Sequence, residues 1–344
     1  MILNPETEMY DLNASGHVSL YETAPELAND LRRYFSRCNN QGIEANLDFT
    51  NEGYGLYANG AWEIIEKVAE ECSIGMDKLT IHISDMFASY PCKTMPQVND
   101  KWLDVYVPTT EPPATDFKKF GHFVGRVSAD RLAMHVMLEK YKDDMWYSIW
   151  KGWDFNEEFF ARFKNYIRFL GDKGTKIGRA REIVEQLPQK NTFENPSRDD
   201  FYTWPMQVAP LHRYYKNMFV DIVSETDLDT CFTTEKTLRP IIFKTPFLLM
   251  AGKGTLQKLK DIGFQTFDNW WAEDYDNYAH RERLEKILDI VEWISVQYNV
   301  KKYKEEMNSI LEHNYNHYVN KEWIPYAKKL GVPDIAFGDT RTWE

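Results

Sequence analysis

A carboxylate and an ammonium group stand side by side where a helix is predicted to begin, at Glu235 and Lys236. A predicted strand ends in Ser224 and Glu225, a short polar loop follows, and Thr234 or the threonine before it is a natural N-cap. Backbone N–H groups and Lys236 can then meet phosphate oxygens, while Glu235 can accept hydrogen bonds from ribose hydroxyls. This chemistry suits a nucleoside diphosphate. A plainer interpretation, in which Glu235 caps the first turn and Lys236 is solvated, stays open on these residues alone.

One basic stretch lies in an otherwise acidic chain. The 344 residues carry 41 Lys and Arg against 53 Asp and Glu, and this net charge of −12 argues against a nucleic-acid partner. Residues 1–120 hold 9 basic and 19 acidic side chains, so the remainder is almost neutral. Within that remainder, basic residues cluster between 162 and 190, among them Lys173, Lys176, Arg179 and Arg181. These four are the candidate side chains for tracking a nucleic-acid backbone.

The sequence lacks the usual motifs for a metal site or for nucleotide hydrolysis. Its four cysteines lie far apart without a C-x-x-C pair, and only His313 and His317 among the eight histidines are spaced i, i+4. A solvated helix face accounts for that pair more simply than a metal does. The glycine turn at 252–254 lacks P-loop spacing, and the D-x-D triplet at Asp227 lies in a predicted loop. We therefore expect no metal and no bound cofactor.

Alternating strand and helix patterns predict an α/β fold in two domains. A linker rich in proline and threonine, VPTTEPPATDF at residues 107–117, separates them. We predict an N-terminal domain over 1–112, a second over 113–297, and a C-terminal helical segment, 298–344, that crosses back to the first. The predicted strands include residues 17–21, 45–50, 79–84 and 103–107 before the boundary, and 120–124, 218–223 and 246–251 after it.

The most specific pattern runs from residue 224 to residue 276. It reads S-E-T at the strand end, T-E-K-T-L-R-P-I at the helix start, P-F, a G-K-G turn, L-x-x-L-x-x-x-G-F-x-T-F, W-W and D-Y-D. This order resembles the donor-binding segment of GT-B glycosyltransferases, and is most similar to α-1,3-fucosyltransferases, exostosin-like enzymes and a glycosyltransferase-like family of tailed phages and large DNA viruses. A second stretch, FGHFVGRVSADRLAMHVML at 120–138, resembles the strand-Arg-helix opening of the donor domain in that family.

The resemblance implies two Rossmann-like domains and a donor site in the second. It implies that Arg126 contacts the donor pyrophosphate together with Lys236, and that Glu235 binds the ribose. Arg131 could add a further cation from the helix start. Donor contact is also predicted for Ser224, Glu225 and Thr234. Two cations facing a diphosphate suit an enzyme without a metal, because the leaving group develops negative charge. An ordinary ion pair with Asp130 or Glu139 is the alternative for both arginines.

The resemblance does not cover the first 115 residues, which leaves the general base and the acceptor open. Asp85 follows the predicted strand 79–84 at the edge where α/β sheets place functional side chains. Glu52, in a loop punctuated by glycine, is the other candidate base. For either residue, a role as a cap or in a turn is the plainer interpretation.

The resemblance, together with these residues, predicts a metal-independent glycosyltransferase that uses a nucleotide-diphosphate sugar. The acceptor is either a hydroxymethylated base of double-stranded phage DNA or a glycan or lipid-linked hydroxyl. The alternative from another class is a non-catalytic module that binds a nucleotide sugar. No apolar run approaches the ~20 residues of a membrane span, and the N-terminus has no signal-peptide pattern, so we expect a cytoplasmic protein, in the host cytoplasm if it is viral.

Overall fold

The computed structural model describes residues 2–3, 10–11, 20–49, 56, 60–83, 90–96, 116–150, 155–169, 173–192, 211–225, 228, 231 and 233–330. The chain divides into two compact units. The first comprises Met1–Asp100, Asp229–Phe232 and Ile324–Glu344, and the second comprises Lys101–Leu228 and Thr233–Trp323. Most of the linker predicted at 107–117 lies outside the described residues, so the domain limits 1–112, 113–297 and 298–344 stay predictions.

The first unit contains a mostly parallel sheet with a helix before and after its central strand β3. Its strands are β1 (Ile2–Leu3), β2 (Tyr10–Asp11), β3 (Ala45–Phe49), β4 (Leu79–Ile83) and β5 (Lys93–Pro96), and its first helices are α1 (Leu20–Gln41) and α2 (Ala61–Glu71). The strand order is β1-β2-β3-β4-β5, with only the β1/β2 pair antiparallel. Every residue of β4 is buried, as expected of a strand covered on both faces.

The second unit contains a five-stranded sheet. Its strands are β6 (Lys118–Val124), β7 (Met145–Ile149), β8 (Gln189–Lys190), β9 (Met218–Ser224) and β10 (Phe247–Met250). The order is β10-β9-β6-β7-β8, and only β8 runs antiparallel to its neighbour. The two sheets confirm the predicted α/β class.

Helices follow the parallel strands of the second sheet. They are α3 (Ala129–Leu138), α4 (Glu157–Tyr166), α5 (Lys173–Glu185), α6 (His212–Tyr215), α7 (Glu235–Ile242), α8 (Thr255–Asp261), α9 (His280–Ser295), α10 (Val300–Glu306) and α11 (Asn308–Val319), and α12 (Ile324–Lys329) belongs to the first unit. The helix α3 packs against α4, α5 and α9, whereas α7 packs against α11. The connections β6-α3-β7 and β9-α7-β10 move in opposite directions across the sheet, so right-handed crossovers place α3 and α7 on opposite faces.

Two sequence-based expectations need correction. Residues 20–21, predicted as the end of a strand, begin α1 instead, and the rest of that predicted strand lies outside the described residues. His313 and His317 do not form a solvated face, because their Nε2 atoms lie 2.9 and 2.7 Å from the carbonyl oxygens of Gly263 and Ile262. These hydrogen bonds hold α11 against the turn after α8.

None of the described helices combines the length and apolar character that crossing a bilayer requires.

Candidate functional site

The carboxyl ends of β6 and β9 meet where the strand order of the second sheet reverses. From β6 the chain moves outward to β7, and β9 then pairs with the other side of β6. The register aligns Gly121 with Asp221 and Ser224 with Met250, so β6, β9 and β10 end at nearly the same level. In open α/β sheets ligands bind in the crevice at such a reversal. The loops that begin at residues 125, 225 and 251 form this edge, which we call the switch edge.

The loop after β6 presents Arg126 to solvent and buries Arg131. Arg126 is exposed, whereas Arg131 is 4% exposed and its Nη1 atom donates to the carbonyl oxygen of Arg126 at 2.9 Å. The neighbouring Asp130 is also buried, and burial raises the pKa of its carboxyl group while the charge of Arg131 opposes that shift. Arg131 therefore supports the turn that carries Arg126. This corrects the expectation that Arg131 itself faces the donor.

Glu225 directly follows β9 and is fully buried. Its Oε1 atom accepts from the backbone N–H of Thr234 at 2.9 Å, from the backbone N–H of Thr237 at 3.1 Å and from the Thr237 hydroxyl at 2.5 Å. Its Oε2 atom accepts from the Thr234 hydroxyl at 2.6 Å. A carboxylate with these four bonds stabilises the start of α7 from inside the protein. Glu225 thus supports the site, which corrects the expectation of direct donor contact.

At the start of α7, the Lys236 side chain is a better candidate for binding a ligand than the backbone N–H groups are. Thr234, one of the two threonines predicted as N-cap, takes that position, and its hydroxyl accepts from the backbone N–H of Lys236 at 3.2 Å. The N–H groups of Thr234, Lys236 and Thr237 are therefore all engaged within the chain, so the expectation that they bind phosphate needs correction. The half-buried Lys236 places its Nζ atom 3.1 Å from Thr234 Oγ1. Glu235 opens the helix, but its side chain lies outside the described residues and its ribose role stays a prediction. Ser224, also predicted to contact the donor, is 6% exposed at the end of β9.

The glycine turn after β10 is closed by a buried acid–base pair. Asp276 accepts from the backbone N–H groups of Leu256 and Gln257 at 3.0 Å each, at the start of α8. Arg283, which is fully buried, donates to Asp276 at 3.0 Å and to the carbonyl oxygens of Leu249 and Gly252 at 2.8 and 2.9 Å. A protein carboxylate thus occupies the position that an anion takes in a phosphate loop.

Two of the four cations in the predicted DNA patch are engaged in ion pairs. Arg179 binds Glu139 through Nη2 at 2.6 Å and Glu182 through Nη1 at 2.7 Å, and Arg181 binds Glu157 at 2.9 Å. Lys173 is exposed and Lys176 is half-buried. The carboxylates neutralise the arginines, so α5 is not the continuous basic stripe that its sequence indicates. Glu139 pairs with Arg179, not with Arg126 or Arg131, in the contacts of the described residues.

The candidate bases Asp85 and Glu52 lie outside the described residues, and their roles stay predictions. Within the described ranges, no group of three His, Cys, Asp or Glu side chains is arranged to hold a metal ion. A metal site at His313 and His317 therefore lacks the further ligands that it would need within those ranges.

Three buried titratable side chains behind the switch edge were missed by sequence reasoning. His122 on β6 and His135 on α3 face each other with ring centroids 5.7 Å apart, and burial lowers their pKa values to about 4 and about 3. Asp221 on β9 accepts from the Tyr215 hydroxyl at 2.5 Å, and burial raises the pKa of this carboxyl to about 6 against the opposing charge of Arg239. The signal was present in the sequence: single polar residues interrupt the apolar runs FGHFV and FVDIV.

No protein-family model matches the chain, and a search of curated proteins found no match.

Proposed function

We propose that the protein is a glycosyltransferase of GT-B architecture that takes a nucleotide-diphosphate sugar at the switch edge of its second unit. The proposal includes the finer fold assignment, in which both α/β units are Rossmann-like. It requires no metal, because Arg126 and Lys236 supply the positive charge that a departing diphosphate needs.

The observation that carries the proposal is the position of these two cations. Arg126 follows β6 and Lys236 follows β9, and these neighbouring strands flank the reversal in strand order. A buried charged residue supports each cation. Arg131 donates to the carbonyl oxygen of Arg126, and Glu225 accepts from the Thr234 hydroxyl that contacts Lys236. Such support is typical of binding sites whose groups are held in place before the ligand arrives. The motif pattern from 224 to 276 adds the resemblance that first indicated a sugar nucleotide.

The ion pairs on α5 favour an acceptor other than DNA. Arg179 and Arg181 are paired with carboxylates, and the first 120 residues are strongly acidic, so a duplex would meet little free positive charge there. We therefore propose a glycan or lipid-linked hydroxyl as the acceptor. Strong binding of hydroxymethylated DNA with a steep salt dependence would reverse this choice.

The test is a thermal-shift screen of the full chain against nucleoside diphosphates and nucleotide sugars, followed by calorimetric titration of any ligand that raises the melting temperature. Arg126→Ala, Lys236→Ala and Glu235→Ala should each abolish the shift while the ligand-free melting temperature stays near that of the wild type. Lys142→Ala is the matched control, since Lys142 is exposed in the turn that precedes β7, at the opposite edge of the sheet. Wild-type affinity in the Arg126 and Lys236 variants would refute the proposal.

Turnover separates an enzyme from a binding module. Release of nucleoside diphosphate from the bound donor, with or without an acceptor, is expected for a transferase. Tight donor binding without release would instead identify the non-catalytic alternative.

A further inference from the structure

The hydroxyl of Thr234 lies between a buried carboxylate and the ammonium group of Lys236. Glu225 Oε2 lies 2.6 Å from Thr234 Oγ1, which lies 3.1 Å from Lys236 Nζ. A hydroxyl has one proton to donate and two lone pairs that accept. Because a carboxylate only accepts and an ammonium group only donates, the direction of both hydrogen bonds is determined: Thr234 donates to Glu225 and accepts from Lys236.

We infer that Glu225 is a positioning residue that orients the Lys236 ammonium group for a phosphate-bearing ligand through the hydroxyl of Thr234. The inference rests on the proposed function for the identity of that ligand. Glu225 reaches no ligand itself, since it is fully buried and accepts four hydrogen bonds. Its negative charge draws the Thr234 proton inward, and both lone pairs of the hydroxyl are then available to Lys236.

The backbone of Lys236 is held by the same oxygen. Its N–H group donates to Thr234 Oγ1 at 3.2 Å, so one hydroxyl contacts the residue at both its main chain and its side-chain end. This arrangement restrains a long flexible side chain, which reduces the entropy that is lost when a ligand binds. Glu225 is in turn tied to the sheet, because its own N–H group donates to the carbonyl oxygen of Met250 at 2.8 Å. Hydrogen bonds thus connect the ammonium group through Thr234 and Glu225 to the strands β9 and β10.

Thr237 provides a matched control within the same cluster. Its hydroxyl donates to Glu225 Oε1 at 2.5 Å, as that of Thr234 donates to Oε2, and it is also fully buried. No contact of Thr237 with the Lys236 ammonium group is recorded among the described contacts. Thr234→Val and Thr237→Val therefore each remove one buried hydroxyl from Glu225, but only the first removes the link to Lys236. Thr234→Ser keeps the hydroxyl and serves as the rescue variant.

The first readout needs no ligand. Acetylation of the full chain with a limiting amount of an acylating reagent, followed by peptide mass spectrometry, measures the relative reactivity of Lys236. We expect a several-fold rise in Thr234→Val, and reactivity like that of the wild type in Thr237→Val and Thr234→Ser. Equal changes in the two valine variants would overturn the inference, because they would mean that loss of either hydroxyl simply loosens the helix start.

The second readout is the affinity for inorganic pyrophosphate by calorimetric titration. Thr234→Val should weaken it about tenfold, the effect of losing one hydrogen bond to a charged group, while Thr237→Val should stay within about twofold. Failure of the wild type to bind pyrophosphate would refute the proposed function without touching the acetylation result. If neither measurement shows the expected difference between Thr234→Val and Thr237→Val, the inference itself is overturned. If Thr234→Val does not fold, Thr234→Ser against Thr234→Ala gives the same comparison with a smaller change in shape.

Discussion

Acid should destabilise the second unit through the buried pair His122 and His135. Both rings are less than 3% exposed, and burial lowers their pKa values to about 4 and about 3. In the unfolded chain a histidine titrates near pH ~6.5, so below that pH the unfolded state binds more protons than the folded state. Stability is then fully present above about pH 7 and is lost as the pH falls through the unfolded value.

The size of the loss follows from the pKa differences. At pH 5 the unfolded state gains about 2 kcal/mol from each histidine, or about 4 kcal/mol from both, while the folded rings remain neutral. Asp221 opposes this change. Its pKa is raised to about 6, so its protonation in the folded state returns about 1 kcal/mol between pH 8 and pH 5. We expect a net loss of about 3 kcal/mol for the wild type and about 1 kcal/mol for His135→Phe.

The assay is hydrogen exchange of peptides from β6 and β9 at pH 8 and pH 5, corrected for the intrinsic exchange rate. A local probe is needed because a chain of two units need not unfold in one step. Tyr147→Phe is the control, since Tyr147 packs against His135 with ring centroids 5.5 Å apart but titrates far above this range. If wild type and His135→Phe lose the same protection between the two pH values, the buried pair is not the source of the acid sensitivity.

Three further predictions concern buried or paired charged residues of the second unit. Arg283→Met should lower the free energy of unfolding by about 3–5 kcal/mol, because it strips a buried partner from Asp276 and two carbonyl groups; a loss under about 1 kcal/mol in urea denaturation would contradict this. Burial lowers the pKa of Lys304 to about 8, so the folded state binds this proton more weakly than the unfolded state does. The free energy of unfolding should therefore rise by about 1.5 kcal/mol from pH 8 to pH 9.5, and Lys304→Met should abolish that rise in the same assay. Arg179→Gln should change the salt dependence of DNA binding by less than one phosphate contact, because its charge is already paired with Glu139; a clear drop in the slope of affinity against salt would restore the DNA patch.

Three of the five described strands of the second unit, β6, β9 and β10, were predictable from local sequence. Strands β9 and β10 are buried, and β6 is buried apart from its first two residues, so they read as short apolar runs between turn residues. Thr234 as N-cap follows from a side-chain preference that acts within one helical turn. The strand β7 and the helices α4 and α5, by contrast, were not recognised as separate elements. Charged residues interrupt the apolar positions of α4 and α5. The strand β7 is a mostly apolar run of five residues, too short for periodicity to separate a strand from a helical segment.

The partners of the charged residues were decided only by the tertiary structure. Arg131, Glu225 and Arg179 look alike in the sequence as candidates for ligand contact, yet each is engaged by another part of the protein. Arg179 meets Glu139 from 40 residues away, and Arg283 meets Leu249 from 34 residues away. A charge in a sequence states what a side chain can bind, but its burial and the donors around it determine what it does bind.

The sequence by itself determined that this chain forms α/β units, because hydrophobic periodicity and capping act over a few residues. It also placed the polar residues of the candidate site after β6 and β9. Only the tertiary structure decided that the candidate site lies at a reversal of strand order, and that Arg126 is exposed while Arg131 and Glu225 are buried. The reason is physical: strand order and burial depend on which distant segments pair, and neither local propensity nor residue spacing encodes that pairing directly.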